Sequence, residues 1–516
     1  MMTILNLTLE NRRIQALATA PGLALLILTG CAKPAGEITE TTETAAVEVV
    51  EIPVTTSSDT ALVLFDEGQY LLDVGRGVEA REKFQAAIAE DPNFAYAYFN
   101  ASNASLSFAE FKETLDAAME HMEGKSEGER LLVEINQTFL DNNSDHGLKL
   151  AKQLVKKYPN SPRAWQALAG IQATRNEDKS ARKSLEKALA LDPESAGAVF
   201  TLGNSYLFSE PKDFARAEQS MKQFIALYPN EAKAYEGLGD VMRAENDLDA
   251  ALEAYTQATD TDPTLAAAQL KKGHVSSFLG NIEEARAAYD AGIESASPEN
   301  KAAFANYRAF THIHAGDVQG SIDELAELAD SVAEMGTPAD QVKGTQVFTL
   351  TNEATAALHS GNLKQAAKAI AMRNELVREI GKDVGTEDAA RLQEANCLIW
   401  DGLLAAYQGD YELAMAKAEQ NAELLAADEN PRKMEPYHQV LGMAYLRQGD
   451  YGKAVEHLRM ADYRNTMYIR YQLALAEEGV GNTGEARKLF KQVADWNFNS
   501  VGYALVHEDA AERASG

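Results

Sequence analysis

The chain has 516 residues, a formal net charge of −30 and a hydrophobic fraction of 45%. An acidic surface of this kind repels phosphate backbones, which argues against nucleic acid as a partner, and it is only weakly attracted to anionic lipid headgroups. Two cysteines cannot build a disulfide framework, and a content of only 14 prolines favours helix. We therefore expect an all-α protein.

The first thirty residues have the pattern of an export signal. Two arginines, Arg12 and Arg13, precede a short apolar run that ends in the tetrapeptide Leu28-Thr29-Gly30-Cys31. This tetrapeptide resembles the lipobox of bacterial lipoproteins. The resemblance implies that residues 1–30 are a lipoprotein signal peptide, that Cys31 becomes the lipidated N-terminus, and that the acyl chains form a lasting membrane anchor. An ordinary signal sequence or an uncleaved membrane helix is the alternative.

The residue after this cysteine bears on localisation. Ala32 is not the aspartate that is associated with inner-membrane retention in such lipoproteins. The resemblance therefore implies an outer-membrane lipoprotein of the cell envelope that faces the periplasm. Residues 31–60, which are rich in threonine and glutamate and lack helical periodicity, are predicted to be a solvated acidic tether.

A repeat begins after the tether. The segment from Ala232 to Pro263 carries an aromatic residue, a Leu-Gly pair, a small residue and a final proline at set spacings. These residues are Tyr235, Leu238, Gly239, Ala251, Tyr255 and Pro263. The pattern resembles the tetratricopeptide repeat, a helix-turn-helix unit of about 34 residues. Gly239 and Ala251 lack bulk where two antiparallel helices would approach most closely, and Asp247 is a candidate N-cap of the second helix.

The same pattern recurs along the chain. The small residue of the second helix is found at Ala80, Gly147, Ala181, Ala217, Ala251, Ala285, Ser321, Ala366, Ala414, Ala454 and Ala486. A ladder of prolines, at Pro92, Pro159, Pro193, Pro229, Pro263 and Pro298, is predicted to end second helices. With a degenerate unit after Pro92, these signals predict a right-handed superhelical solenoid of about twelve repeats.

The spacing between equivalent repeat positions divides this array into two segments. It is regular over 61–330 and becomes longer over 331–498, which predicts longer helices or loops and a separate segment. Residues 499–516 are predicted to form a capping helix and tail that cover the end of the array.

Motifs for chemistry are weak. Asp141, Asn143 and Asp145 alternate as in a calcium loop, but Lys152 occupies the position of the bidentate glutamate, so we expect a polar turn. His312 and His314 point to different sides of a helix, and Cys397 lies in an apolar helical segment where a buried thiol is expected. We predict no cofactor, no metal site and no catalysis.

The first helices of stacked repeats line a shared surface, which is the predicted binding groove. Its candidate partner-binding residues are Arg163, Gln166, Phe200, Asn204, Lys233, Glu236, Asp240, Arg243, Lys271, His274 and Phe278. The sequence and the resemblance together predict a lipid-anchored envelope scaffold that binds proteins or peptides through this groove.

Two alternatives stay open at this point. The chain could be an enzyme or a small-ligand sensor with a pocket between the two segments, where Glu435, His438 and His457 offer acid and base groups. It could also be a structural protein that assembles with itself, because the sequence leaves the oligomeric state undetermined.

Overall fold

The computed structural model describes residues 49–516, except 106–107, 142, 429, 431 and 465. The predicted signal peptide, Cys31 and most of the predicted tether lie outside the described residues. The regular structure of the described residues consists of 25 α-helices and one short 3₁₀-helix, which confirms the all-α prediction. Within this part of the chain, no helix is both long enough and apolar enough to span a bilayer.

The described chain divides into two compact units, residues 49–262 and 263–516, called here the N-terminal and C-terminal units. The helices of the N-terminal unit are α1 (Asp59–Asp73), α2 (Gly77–Glu90), α3 (Ala95–Asn103), α4 (Phe108–Glu120), α5 (Glu127–Leu140), α6 (Ser144–Lys157), α7 (Pro162–Thr174), α8 (Asp178–Leu191), α9 (Ala196–Phe208), α10 (Phe214–Leu227), α11 (Ala232–Ala244) and α12 (Leu248–Thr261).

The C-terminal unit continues the series with longer members. Its helices are α13 (Ala266–Phe278), α14 (Ile282–Ser295), α15 (Pro298–His314), α16 (Val318–Ser331), α17 (Val342–Ser360), α18 (Leu363–Val384), α19 (Glu387–Gln408), α20 (Tyr411–Leu424), α21 (Glu435–Gln448), α22 (Tyr451–Met460), α23 (Met467–Gly479), α24 (Thr483–Ala494) and α25 (Val501–Ser515). Helices α1 to α24 form twelve hairpins, in agreement with the predicted repeat number.

Each odd-numbered helix packs against the even-numbered helix that follows it. These are the first and second helices of the hairpins. Several first helices also contact the next first helix along the chain, for example α5 with α7 and α19 with α21. The first helices therefore share one side of each unit, which we call the first-helix face.

The hairpins close at the small residues that the sequence predicts. Ala251 is fully buried, and a Cβ atom added to Gly239 would lie 2.5 Å from Cε1 of Tyr255. The equivalent alanines are buried along the whole series, from Ala80 to Ala486. Absence of bulk at this position thus sets how closely the two helices of a hairpin approach.

Local signals define the helix ends. Asp247 is the N-cap of α12, because its side chain accepts a hydrogen bond from the backbone N–H of Ala250, as predicted. The prolines from Pro92 to Pro263 follow the C-caps of second helices, as the ladder predicts. Pro298 differs, since it begins α15, where its missing N–H has no helical partner to lose.

The predicted division at residue 330 is not the one observed. The longer spacing beyond it does come from longer helices, because α18 and α19 have 22 residues each. However, one hydrophobic core runs from Leu270 through α25, so the hairpins before residue 330 belong to the same compact unit as those after it.

The tether prediction also extends too far. Ile52 is 1% exposed and packs against Gly128 of α5. The backbone N–H and the hydroxyl of Thr55 each donate to the Glu129 carboxylate at 2.7 Å, and Thr56 donates to Asp91 at 2.6 Å. Residues 49–58 are therefore part of the N-terminal unit, because their apolar and polar groups find partners there that a tether lacks.

The close approach at Gly239 can be tested by adding a methyl group. Gly239→Ala forces the new Cβ into the buried Tyr255 ring, whose hydroxyl is held by Asp240 at 2.7 Å. We expect a loss of about 1–3 kcal/mol in the free energy of unfolding, measured by urea titration with circular dichroism. Gly484→Ala is the control, because nothing lies within 4 Å of its new Cβ, and it should be neutral or slightly stabilising. Equal effects of the two substitutions would contradict the packing account.

Candidate functional site

The eleven residues predicted to line the groove lie on the first helices α7, α9, α11 and α13, but none of them is exposed. Those that are almost fully buried are Arg163, Gln166, Glu236, Asp240, Arg243, Lys271 and His274. Those that are partly buried are Phe200, Asn204, Lys233 and Phe278. These positions do not form an open groove in this structure, and direct contact of these side chains with a partner stays a prediction.

In the N-terminal unit the turn between α1 and α2 covers part of this face. Val74 packs in one cluster with Val199 of α9 and Ala234 of α11, and the Tyr70 hydroxyl donates to Glu231 at 3.3 Å. Gly75 has a φ of +89°, and a Cβ on it would lie 2.6 Å from Cγ of Lys233. Both the left-handed backbone and the close approach require glycine here. The first hairpin thus contacts hairpins four and five positions further along.

Beside this turn, buried polar groups bind one another. Arg163 of α7 donates hydrogen bonds to the Tyr96 hydroxyl and to the Gln69 side-chain oxygen, each at 2.6 Å. The amide of Gln166 donates to the Ser195 hydroxyl at 3.1 Å. A buried guanidinium needs such acceptors, since it would otherwise lose its hydration without compensation. Arg163 and Gln166 thus form these hydrogen bonds with other residues of the same chain.

Helix α11 shows the same pattern of internal pairing. The Lys233 ammonium lies 2.6 Å from a carboxylate oxygen of Glu236, and Arg243 lies 3.1 Å from Asp240. The Tyr255 hydroxyl donates to the same Asp240 at 2.7 Å. The two ion pairs lie within α11, and the hydrogen bond between Tyr255 and Asp240 joins α11 to the second helix of its own hairpin.

In the C-terminal unit, helix α25 lies on the first-helix face. It packs against α24, as a cap would, but it also contacts α15, α17 and α23, which belong to hairpins that are far apart in the series. One helix can reach all of these only because the face of this unit is concave. The Tyr503 ring lies 5.3 Å from the ring of Phe278. Residues 499–516 therefore do more than cover an end, which corrects the predicted capping role.

Asn499, just before α25, joins several buried side chains. Its amide nitrogen donates to the Tyr289 hydroxyl at 3.1 Å and lies 3.4 Å from Nδ1 of His274. Its side-chain oxygen lies 3.4 Å from Nε2 of His314. A single amide thus connects the start of α25 to three other helices.

The packing of α25 on this face brings two histidines close together. The rings of His314 on α15 and His507 on α25 are 5.2 Å apart. Burial, together with the neighbouring His507, lowers the pKa of His314 to about 3. Burial also lowers the pKa of His507. Both imidazoles are therefore neutral near pH 7, which an apolar environment favours.

Another part of this face is a shallow cleft that opens to solvent. It is formed by four successive first helices, α17, α19, α21 and α23. Its lining residues, called here the cleft, are Thr355, Leu358, Trp400, Leu403, Tyr407, Gln439, Met443, Tyr468 and Ile469. The lining is mainly apolar and aromatic, with an amide and hydroxyl groups among it, as is common in binding sites.

Tyr468 connects the cleft to α25. Its hydroxyl lies 2.9 Å from that of Tyr407 and 3.0 Å from Nδ1 of His359. Gly502 of α25 approaches the same side chain so closely that a Cβ there would be 2.9 Å from Cβ of Tyr468. Helix α25 therefore borders the cleft and fixes one of its walls.

Sequence reasoning missed this cleft, because the projected groove stopped at Phe278. A signal was present in the aromatic residues of the later first helices, notably Trp400, Tyr407 and Tyr468. The irregular spacing of these repeats hid which side of each helix they occupy.

The weaker motifs behave largely as predicted. Asn143 is the N-cap of α6, so the calcium-like segment contributes a polar turn to the hairpin. His312 lies 3.0 Å from Glu324, whereas His314 faces Asn499, and the two histidines thus point apart. Cys397 is buried, and this burial raises the pKa of its thiol to about 11.

The acid and base groups proposed for an enzyme are only partly brought together. Nδ1 of His438 lies 3.0 Å from Nδ1 of His457, and burial lowers the pKa of both rings. Glu435 forms an ion pair with Arg432 at 2.6 Å. Across the described residues, no group of three or more metal-ligating side chains comes together.

The fold defines a helical-repeat protein whose hairpins stack within each unit. Tetratricopeptide repeat family models match residues 141–196 and 200–266, and a second model of the same repeat matches 266–298 and 436–465. The chain is a tetratricopeptide repeat protein. Repeats of this family serve in protein–protein interaction, which supports a protein or peptide as the partner.

Solved structures with a fold similar to part of this chain include the following three proteins. PilF of Pseudomonas aeruginosa is 19% identical with a TM-score of 0.34, covering 39% of this chain and 90% of its own. PilW, a type IV pilus biogenesis factor, is 15% identical with a TM-score of 0.35, covering 41% and 98%. YrrB, described as having an unusual peptide-binding site, is 18% identical with a TM-score of 0.28, covering 35% and 91%. Such low scores carry no information about partners, and no curated protein matches the sequence.

The buried histidine predicts a pH dependence of stability. Because the pKa of His314 is about 3 in the folded chain and 6.5 in the unfolded one, the unfolded state binds the proton more tightly. Its contribution to stability is fully present above pH 6.5 and is lost as the pH falls towards 3. Between pH 7.5 and 5.0 it should lower the free energy of unfolding by about 2 kcal/mol.

The measurement is urea unfolding of the C-terminal unit, followed by Trp400 and Trp496 fluorescence in a Trp165→Phe background. His314→Gln should remove most of this pH dependence, whereas His146→Gln, at an exposed position, should retain it. An identical pH profile for both variants would show that His314 is not the group responsible.

Proposed function

We propose that this protein is a lipid-anchored scaffold of the bacterial cell envelope that binds a segment of another protein in the cleft of its C-terminal unit. Cys31 would carry the anchor at the outer membrane, on the periplasmic side, and the hairpins would hold the partner near that membrane. The proposal assigns no catalytic step to the chain.

The cleft is the observation that carries the proposal. Four successive first helices build it, so an occupant would contact four hairpins at once. Trp400 and Tyr407 are rigid aromatic side chains, a type that supplies much of the affinity in protein interfaces. The amide of Gln439 offers hydrogen-bonding groups to a bound backbone, whereas the Thr355 hydroxyl donates to the Thr351 carbonyl at 2.8 Å. A helix or an extended segment that inserts one or two apolar side chains fits these features.

The chemistry of the lining favours binding over catalysis. The cleft residues include no carboxylate, no histidine and no cysteine. His359 touches the cleft only through Tyr468, and burial lowers its pKa, so this imidazole is neutral. A general acid and base that face a shared substrate are thus not supplied by the cleft itself.

A photo-crosslinking experiment tests where the partner binds. A photoreactive amino acid at Gln439 should give a cross-linked protein adduct in intact cells, because this side chain lines the cleft. The same amino acid at Glu419, which is exposed on the second helix α20, is the matched control and should give no such adduct. Mass spectrometry of the adduct identifies the partner and the segment that it inserts.

The same adducts from both positions, or an adduct from Glu419 alone, would contradict binding in the cleft. A small hydrophobic molecule retained through purification and displaced by Gln439→Trp would instead favour the sensor alternative.

The anchor is tested separately at Cys31. Mass analysis of the N-terminal peptide should find acyl groups on Cys31, and Cys31→Ser should shift the protein from the membrane fraction to the soluble fraction. Thr29→Ser is the matched control, since it keeps a small residue before the cysteine. An unmodified Cys31 in the membrane-bound protein would exclude the lipid anchor while leaving the cleft proposal untouched.

A further inference from the structure

We infer that the segment bound in the cleft is acidic, with an apolar side chain as its anchor and carboxylates beside it. This inference rests on the proposed function and adds the chemistry of the partner. It follows from two arginines that lie against the aromatic walls of the cleft in a chain whose net charge is −30.

The first arginine, Arg373, packs against Trp400 of the cleft lining. The guanidinium of Arg373 is 5.0 Å from the centre of the Trp400 ring, and the residue is 4% exposed. It donates hydrogen bonds to Thr351 at 3.0 Å, to Asn374 at 2.8 Å and to Asn396. All three acceptors are neutral oxygens. The positive charge of Arg373 is therefore stabilised by dipoles and by the ring, and its field reaches the cleft.

The second arginine lies against Tyr407, which is about two turns beyond Trp400 on the same helix α19. The guanidinium of Arg447 is 3.3 Å from the centre of the Tyr407 ring, and its side chain is exposed. Within the described part of the chain, no carboxylate forms an ion pair with it. An incoming carboxylate can accept hydrogen bonds from this exposed guanidinium.

Two carboxylates on helices that border the cleft accept hydrogen bonds from other side chains of the chain. Asp509 of α25 accepts hydrogen bonds from Tyr471 at 2.5 Å and from Arg513 at 2.6 Å. Asp401, which follows Trp400, accepts one from Asn374 at 2.9 Å. The cleft lining itself carries no charge. The hydrogen bond from Asn374 leaves the charge of Asp401 in place, so the exposed guanidinium of Arg447 is the cationic group that the structure places at the rim of the cleft.

These features select a ligand by charge as well as by shape. An apolar side chain would fill the space between the aromatic walls, and adjacent carboxylates would reach Arg447 at the rim. Opposite charges at the rim of a binding site raise the rate of encounter and disfavour wrong partners. A basic segment would meet Arg447 as a like charge, and an apolar segment without carboxylates would gain nothing from it.

The test uses three capped hexapeptides with the full-length chain: EELFEE, KKLFKK and EEGSEE. Fluorescence anisotropy of labelled peptides should give the tightest binding for EELFEE, with affinity that falls as salt rises from 50 to 200 mM. KKLFKK should bind about tenfold more weakly, and EEGSEE, which lacks the apolar anchor, should show no saturable binding.

Substitutions of nearly equal size change the charge of the site. Gln439→Glu places a carboxylate in the cleft and should weaken EELFEE binding about fivefold or more while improving KKLFKK. Arg447→Gln should weaken EELFEE about fivefold and flatten its salt dependence. Arg487→Gln, an exposed position on α24, is the matched control and should leave all three affinities unchanged.

Tighter binding of KKLFKK, equal binding of both charged peptides, or no binding of EELFEE at millimolar concentration would overturn the inference. The proposed function would fail separately, if no adduct formed from Gln439 in cells. An adduct whose inserted segment is basic would leave the proposed function standing and would refute the acidic partner.

Discussion

The close approach of two helices at a small residue is the constraint on which the rest of the structure depends. Ala251 and Gly239 leave no side chain between α11 and α12, so Tyr255 can close the hairpin from one side. A single hairpin cannot bury its apolar face alone, and stacking on its neighbours completes the core. The repeated small residue thus fixes the hairpin, the hairpin fixes the stack, and the stack places the first helices of each unit on one face.

This face differs from an open groove, because the chain itself occupies much of it. In the N-terminal unit the turn at Val74 and Gly75 contacts α9 and α11, and in the C-terminal unit α25 lies across α15, α17 and α23. Both contacts use buried polar groups, which are specific since each unsatisfied partner would cost about 1–3 kcal/mol. The cleft formed by α17, α19, α21 and α23 opens to solvent, which is why we assign binding to the later repeats.

The twelve hairpins could be predicted from the sequence, since their signals are local: the small residue, the capping Asp247, and the prolines that follow helix ends. The packing of other segments of the chain on the first-helix face could not be predicted from the sequence. Val74 meets Ala234 and Asn499 meets His274 across large sequence separations, and no periodic pattern encodes these contacts. For the same reason Ile52 was assigned to a tether, although it packs over Gly128. Arg163 and Gln166 were placed on the right helix, but their burial depends on distant segments.

Single-cysteine labelling tests most directly the claim that the cleft is open while the predicted groove is closed. In a Cys31→Ser, Cys397→Ala background the chain has no other thiol, because it contains two cysteines. Gln439→Cys lines the cleft, whereas Gln166 on α7 is only 2% exposed. Maleimide should modify Gln439→Cys rapidly and Gln166→Cys about a hundredfold more slowly, since local opening must precede reaction. Equal rates at the two positions would contradict the account.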